Sequence, residues 1–300
     1  MSYLKTLYDK GLVQPPKWLL ANIHYETVMG SMAYGVASDD SDWDIYGWAI
    51  PSKEIIFPHL AGAIEGFDKQ YQRFDQYQQH HILDQSAAKG KGINYDFQIY
   101  NIVKYFRLCA DNNPNMIDSL FTPRTCVLHS TAVSEMVREN RKIFLHKGCW
   151  HKFKGYAYSQ LHKIKTKTPE EGSRRHEYIE KFGYDVKFAY HVVRLLNEVE
   201  MILVEGDLDL QRNNEQLKSI RRGEWKEQDI VDYFNKKERD LETTYTNSKL
   251  PYSPDEEKIK QLLLNCLEHH YGNLKDCVVV KNSHELFCKE LKELQERYGV

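Results

Sequence analysis

The hydrophobic pattern of the chain changes its period along its length, and this change limits the folds that are open to it. The first half contains three runs of strand character, at residues 23–29, 44–50 and 93–100, each bounded by turn-forming or polar residues. From Ile102 the apolar residues recur at helical spacing, and from about residue 130 onward the pattern predicts helices alone. The sequence therefore predicts a mixed α/β domain followed by a helical one, joined near residues 125–150.

Three local predictions follow from the same pattern. Residues 65–92 are rich in Gln, Lys and His and are expected to form an exposed hairpin or loop. The helix that begins at Ile102 is expected to place Val103, Phe106 and Ala110 on one face. A long helix is expected from Phe182 to Gly206, because apolar residues continue at three- and four-residue spacing for about six turns and a glycine then ends them.

Charge is balanced over the whole chain but unevenly distributed along it. The 300 residues contain 41 Lys and Arg against 43 Asp and Glu, which excludes a wholly basic nucleic-acid coat protein. Residues 141–194, however, hold 13 basic and 5 acidic side chains. A segment of this kind suits an anionic substrate or a nucleic acid, and a solvated basic face is the alternative interpretation.

The six cysteines form no Cys-x-x-Cys pair and no regular framework. In a chain of this length they are expected to be reduced thiols, which predicts an intracellular, cytoplasmic protein. The first residues lack the apolar core of a signal peptide, and there is no run of 18 apolar residues. We therefore expect neither secretion nor a membrane partner.

The segment most informative about chemistry contains two aspartates, Asp42 and Asp44, spaced two apart at the start of a predicted strand. Side chains two apart on a strand point to the same face, so the two carboxylates repel each other unless a cation lies between them. Mg²⁺ is typically held by one or two protein carboxylates together with substrate phosphates. The spacing therefore predicts a site for a hard divalent cation.

Two further features extend this site. Gly30 and Ser31 follow a predicted strand and precede a short helix, where free backbone N–H groups and the hydroxyl can hold a phosphate. Asp96 lies on the polar face of an alternating strand and is the expected third carboxylate of a two-metal site. Glu65 and Asp68 compete with it, since the spacer between Asp44 and Asp96 is long.

Each feature also has a simpler interpretation. A Gly-Ser pair alone is usually a turn, and the acidic run from Asp39 to Asp44 could be a solvated loop. A calcium loop is excluded on chemical grounds, because Ile45 stands where glycine is needed and Pro51 where glutamate is needed.

Together these motifs resemble the DNA polymerase beta-type nucleotidyltransferase superfamily. The likeness extends further, to the predicted nucleotidyltransferases of phages and bacteria that are associated with RNA ligases, and covers roughly residues 25–265. The runs that carry it are Gly30-Ser31-Met32-Ala33-Tyr34-Gly35, Ser41-Asp42-Trp43-Asp44-Ile45-Tyr46-Gly47, Asn113-Pro114-Asn115, Lys181-Phe182-Gly183-Tyr184-Asp185-Val186-Lys187-Phe188-Ala189, Arg194-Leu195-Leu196 and Ile220-Arg221-Arg222-Gly223-Glu224-Trp225.

The resemblance implies an α+β fold in which a catalytic domain with a small mixed sheet and flanking helices, residues 1–128, precedes a helical domain, residues 129–300, that binds the acceptor. It implies transfer of a nucleoside monophosphate from a nucleoside triphosphate such as ATP to an acceptor hydroxyl, with release of pyrophosphate. Asp42, Asp44 and Asp96 would hold two Mg²⁺ or Mn²⁺ ions, and Gly30 with Ser31 would bind the triphosphate. The RNA-ligase association implies an RNA or tRNA acceptor and a role in RNA repair.

Two arginines are further candidates for nucleotide binding. Arg194 falls within an apolar helix, where an unpaired charge is costly, so it is either paired with an acid such as Asp185 or directed at the cleft to hold phosphates. Arg221 precedes Gly223 in a predicted turn and could contact substrate. The remaining cations of the basic segment, Lys163, Lys165, Lys167, Arg174 and Arg175, are expected on a loop between helices.

Other functions remain open at this point. The fold could serve as a non-catalytic nucleotide- or RNA-binding subunit of an RNA-repair complex, although three clustered carboxylates beside a phosphate site would be of no use to a pure binder. The acceptor hydroxyl could also belong to a protein or to a small molecule.

Overall fold

The computed structural model describes residues 1–38, 41–64, 73–277 and 283–298. Its N-terminal half is built on a mixed five-stranded sheet of order β3-β4-β2-β1-β5. β2 and β4 run parallel, and every other neighbouring pair is antiparallel. The strands are β1 (Ile23–Val28), β2 (Trp43–Ala49), β3 (Gln76–Asp84), β4 (Ile93–Asn101) and β5 (Val127–Ser130).

Six short helices flank the sheet, and eight helices follow it in the described part of the chain. The first group is α1 (Tyr3–Asp9), α2 (Lys17–Asn22), α3 (Gly30–Ala33), α4 (Lys53–Ile56), α5 (Ile102–Ala110) and α6 (Pro114–Phe121). The second group is α7 (Ala132–Glu139), α8 (Cys149–Thr166), α9 (Arg174–Phe182), α10 (Val186–Glu205), α11 (Asn214–Arg221), α12 (Glu227–Asn247), α13 (Glu256–Tyr271) and α14 (Ser283–Tyr298). Short 3₁₀ turns lie at Pro58–Ala61, Ala88–Gly90, Arg124–Cys126, Arg141–Phe144 and Leu274–Cys277.

This architecture confirms the predicted α+β fold with its small mixed sheet, and the three predicted strands are β1, β2 and β4. Of the hairpin and the loop predicted for this region, residues 76–92 show the hairpin, because β3 pairs antiparallel with β4. The fifth strand was not predicted, because four residues are too few to show an alternating pattern. β5 pairs with β1 and spans residue 128, where the sequence placed the domain boundary.

Two helix predictions were wrong in detail. In α5 the buried residues include Ile102, Tyr105 and Phe106, whereas Val103 is 45% exposed, so the buried face is turned away from the one predicted. The long helix begins at Val186 rather than Phe182, because Gly183 takes a left-handed φ of +83° and ends α9. The side chain of Asp185 then caps α10 by accepting hydrogen bonds from Lys187 N and Phe188 N.

The two faces of the sheet are covered by different parts of the chain. Ile45 and Phe97 point toward α1 and α2, in a cluster that includes Leu4 and Leu19. Side chains of the opposite parity, Trp48 among them, belong to the larger core that continues through α10 and the other late helices. Asp44 and Asp96 share the parity of Trp48, so the architecture places both carboxylates on the face that looks toward the helical half.

Candidate active site

Two of the predicted carboxylates are direct neighbours across the parallel strand pair. Asp44 on β2 is in register with Asp96 on β4, and both side chains are half-buried. Residues in register on adjacent strands lie close enough for their side chains to interact. The sequence could place each aspartate on a strand, but the parallel pairing of β2 with β4 is what joins them.

Gly30 lies directly against Asp44. Its φ is +63°, and a Cβ added to it would lie 2.4 Å from Asp44 Oδ2. The backbone is held there because Met29 N donates a hydrogen bond to Asp44 O at 2.6 Å. Both the left-handed φ and the close approach therefore require glycine at this position. Ser31 follows at once, in the single turn of α3.

Asp42 lines an adjoining cavity of about 450 Å³. The wall of this cavity is formed by the end of α3, the loop before β2 and the loop before β4. Its lining includes Met32, Ser38, Ser41, Asp42, Lys91 and Asn94. An opening of this size beside Asp42 and α3 is large enough to hold a small molecule.

The electrostatics of Asp44 reflect its surroundings. Burial raises the pKa of its carboxyl group, the negative charge of Asp96 raises it further, and that of Asp42 adds to the effect. The positive charge of Lys187, at the start of α10, opposes these effects. Asp44 therefore lies in the field of both other predicted carboxylates and of one lysine from the helical half.

Asp96 is oriented by the neighbouring edge strand. The pairing of β3 with β4 shifts register between Gln79 and Ile82, and His81 in this bulge has φ +56°. The bulge lets His81 N donate a hydrogen bond to Asp96 Oδ1 at 2.7 Å and places His80 Nδ1 3.6 Å from Asp96 Oδ2. The competing candidates Glu65 and Asp68 lie outside the described residues.

The donor set fits a hard divalent cation in its chemistry. The negative charges of Asp42 and Asp96 both act on the carboxylate of Asp44, and a bound cation would relieve this repulsion. In the described ranges, though, no three His, Cys, Asp or Glu side chains converge tightly enough to form a complete ligand set. Any cation held by Asp42, Asp44 and Asp96 would therefore need further oxygen ligands, such as substrate phosphates.

Arg194 does not reach this cleft, which corrects the expectation that it holds phosphates. Its side chain is 3% exposed and pairs with Asp118 at 2.5 Å and with Glu198 at 2.8 Å, not with Asp185. Asp118 also accepts a hydrogen bond from Tyr34 Oη at 2.8 Å. Inside the core the arginine is ion-paired through Nη1, and it joins α6 and α10 to the residue that follows α3, although its Nε has no hydrogen-bond partner among the described residues.

Arg221 lies nearer to the cleft. Its guanidinium donates a hydrogen bond to the carbonyl of Val36, in the loop after α3, and sits 5.6 Å from the ring centre of Tyr190. Tyr190 in turn lies in the electrostatic field of Asp44. Arg221 therefore supports the loop between Ser31 and Asp42 from the helical side.

Sequence reasoning missed two residues at this site. Lys187 was not singled out as a candidate for the site, and His80 was only part of the segment expected to form an exposed hairpin or loop. The signal for Lys187 was its position directly after the helix cap at Asp185, where a first-turn side chain can face a neighbouring domain. His80 carried no signal, because its approach to Asp96 depends on a bulge in an otherwise polar strand.

Comparison with known proteins identifies the family of this chain. The model of the RNA repair pathway DNA polymerase beta family matches residues 12–265. The chain belongs to this family.

The chain is also similar to two individual proteins, each at low sequence identity. The chain is 26% identical over 121 residues to an uncharacterized 38.9 kDa protein from the nrdC-mobD intergenic region of Enterobacteria phage T4. That match covers 40% of this chain and about a third, 32%, of the phage protein. A solved nucleotidyltransferase-like protein from Exiguobacterium sibiricum shares 10% identity at a TM-score of 0.28, covering 88% of this chain and 72% of the other. Within the described residues, no helix has both the length and the apolar character needed to cross a bilayer.

Proposed function

We propose that this chain transfers a nucleoside monophosphate from a nucleoside triphosphate to the hydroxyl of an RNA acceptor and releases pyrophosphate. The observation that carries the proposal is the juxtaposition of Asp44, Asp96 and Gly30. Two carboxylates stand side by side on parallel strands, and a glycine with its backbone against one of them opens the phosphate-binding turn. Family membership over residues 12–265 supports the same reaction class and an RNA context.

Each residue then has a defined task. Asp42, Asp44 and Asp96 would hold Mg²⁺ or Mn²⁺, two ions in all, and the bound metal would supply charge neutralisation for the phosphates. Gly30 and Ser31 bind and orient the triphosphate beside Asp44. Lys187, exposed at the start of α10, adds a positive charge that acts on the same carboxylate and attracts the anionic substrate.

The bond changes follow from this placement. The acceptor hydroxyl oxygen forms a bond to the α-phosphorus, and the bond from that phosphorus to the bridging oxygen of the β-phosphate breaks, so pyrophosphate leaves with the electron pair. Asp96 Oδ2 takes the hydroxyl proton, since Oδ1 already accepts the hydrogen bond from His81 N. Catalysis consists mainly of positioning and charge stabilisation.

The test is transfer of label from each α-³²P nucleoside triphosphate in turn, with Mg²⁺ or Mn²⁺ present. Total RNA, tRNA and protein serve as acceptors. We expect label in RNA from the wild-type chain and at least about a 10²-fold lower rate from Asp44→Asn, because charge stabilisation at such a centre is worth several kcal/mol.

The matched control is Asp240→Asn, an exposed aspartate on α12 away from the cleft, which should transfer label at the wild-type rate. Label in protein rather than RNA would overturn the acceptor assignment. Wild-type transfer by Asp44→Asn would overturn the site. RNA binding without any release of pyrophosphate would favour a non-catalytic RNA-binding subunit.

A further inference from the structure

The basic segment of the sequence is gathered at one place in the fold. Lys163 lies in the last turn of α8, Lys167 directly follows that helix, Arg175 lies in the first turn of α9, and Lys187 lies in the first turn of α10. Three helix ends therefore meet there, each carrying at least one cation. We refer to these four residues as the basic platform.

The platform is organised around one aromatic ring. Phe188 is 4% exposed, and its ring centre lies 4.0 Å from Arg175 Cζ, 5.8 Å from Lys167 Nζ and 5.9 Å from Lys163 Nζ. Cations at these distances are attracted to the ring face. The arrangement holds three positive groups close together even though they repel one another.

The positive charge of the platform is largely uncompensated. Arg175 pairs with Asp185 at 2.9 Å. Within the portion of the chain that the structure describes, Lys163, Lys167 and Lys187 make no ion pair, although many lysines elsewhere do, such as Lys237 with Glu200. Clustered cations without acidic partners destabilise the folded state by mutual repulsion, and a polyanion bound across them would remove that repulsion.

The platform is continuous with the candidate active site. Lys187 belongs to it and lies in the electrostatic field of Asp44. Tyr190, one turn further along α10, has its ring centre 5.6 Å from the guanidinium of Arg221, which donates a hydrogen bond to the carbonyl of Val36 in the loop after α3. A chain of phosphates on the platform would thus end beside the carboxylates.

We propose that the basic platform binds the phosphate backbone of a single-stranded RNA acceptor and directs its end toward Asp44 and Asp96. The inference rests on the proposed function and deepens it by assigning the acceptor-binding surface. Four cations spread over three helix ends match the repeated charges of a strand. The compact triphosphate, in contrast, is assigned to Gly30 and Ser31.

The experiment measures binding of a fluorescein-labelled 12-nucleotide RNA by anisotropy between 50 and 200 mM salt. Each phosphate contact to a single strand contributes about 0.7 to the slope of log K against log salt. The double variant K163Q/K167Q should therefore lower the slope by about 1.4, which at 0.1 M salt corresponds to roughly 25-fold weaker binding.

The matched control is K236Q/K249Q, which removes the same charge from two exposed lysines of α12 and the loop after it. It should retain the wild-type slope. An unchanged slope in K163Q/K167Q, or an equal loss in the control, would overturn the proposal. Weaker binding of the nucleoside triphosphate by K163Q/K167Q, measured without RNA, would also overturn the proposal.

The two proposals fail separately. Binding is measured without any turnover, so it does not depend on the proposed reaction. If no label is ever transferred but K163Q/K167Q lowers the slope, RNA binding by the basic platform is supported and the proposed reaction is overturned.

Discussion

Gly30→Ala tests the site most directly, because its effect follows from two distances. A Cβ at this position would lie 2.4 Å from Asp44 Oδ2, whereas an ordinary van der Waals contact begins near 3.4 Å. The carboxylate must therefore move by about 1 Å, and a displacement of that size at a reacting centre costs on the order of 10²-fold in rate. The left-handed φ of +63° adds a folding penalty of about 1–2 kcal/mol.

The matched control is Gly11→Ala. Gly11 has φ +74° with nothing within 4 Å of its added Cβ, so this variant carries the backbone strain without the clash. Both variants should lose about 1–2 kcal/mol in urea unfolding. Only Gly30→Ala should lose about 10²-fold in label transfer and weaken Mn²⁺ binding, measured by electron paramagnetic resonance. Wild-type transfer and Mn²⁺ affinity in folded Gly30→Ala would refute the reasoning.

Two further predictions concern buried charges away from the carboxylates. Burial, with a contribution from His270, lowers the pKa of His24 to about 3 from 6.5. The folded state therefore binds fewer protons at His24 than the unfolded state does. The contribution of neutral His24 to stability is present above pH 6.5 and is lost as the pH falls below it. Urea unfolding should show about 2 kcal/mol of loss between pH 7 and pH 5 that is absent in His24→Gln; an equal loss in both would contradict the shift. Arg194→Met would leave Asp118 and Glu198 buried without their cation. It should destabilise the chain by about 3–5 kcal/mol, against almost no effect for exposed Arg239→Met. A stable Arg194→Met chain with weakened nucleotide affinity would instead indicate that Arg194 contacts the nucleotide.

Local patterns in the sequence were sufficient for the elements that carry the site. Strand-like runs bounded by turn signals predicted β1, β2 and β4, and Gly206 ended the long helix as predicted. The position of Asp44 on a strand is a local property, so it needed no knowledge of the rest of the fold, whereas Asp42 precedes β2 and lines the cavity beside it. The roles assigned to these aspartates remain predictions until transfer is measured.

Other features could not be predicted because they depend on pairing between distant segments. Val103 is exposed because the rotation of α5 is set by what packs on it, not by its own spacing. Arg194 is paired with Asp118 because the fold brings α6 next to α10, and nothing near Arg194 in the sequence identifies Asp118. Its other partner, Glu198, lies four residues further along the same helix.

The sequence by itself determined the α+β order of elements, the position of Asp44 on β2 and the glycine turn before it, since each depends on residues within a few positions of one another. The tertiary structure alone decided that Asp44 stands beside Asp96, that Gly30 touches Asp44, and that Lys163, Lys167 and Arg175 surround Phe188. The physical reason is that strand register and helix packing are fixed by the burial of many side chains at once. Contacts between distant segments are a consequence of that collective arrangement.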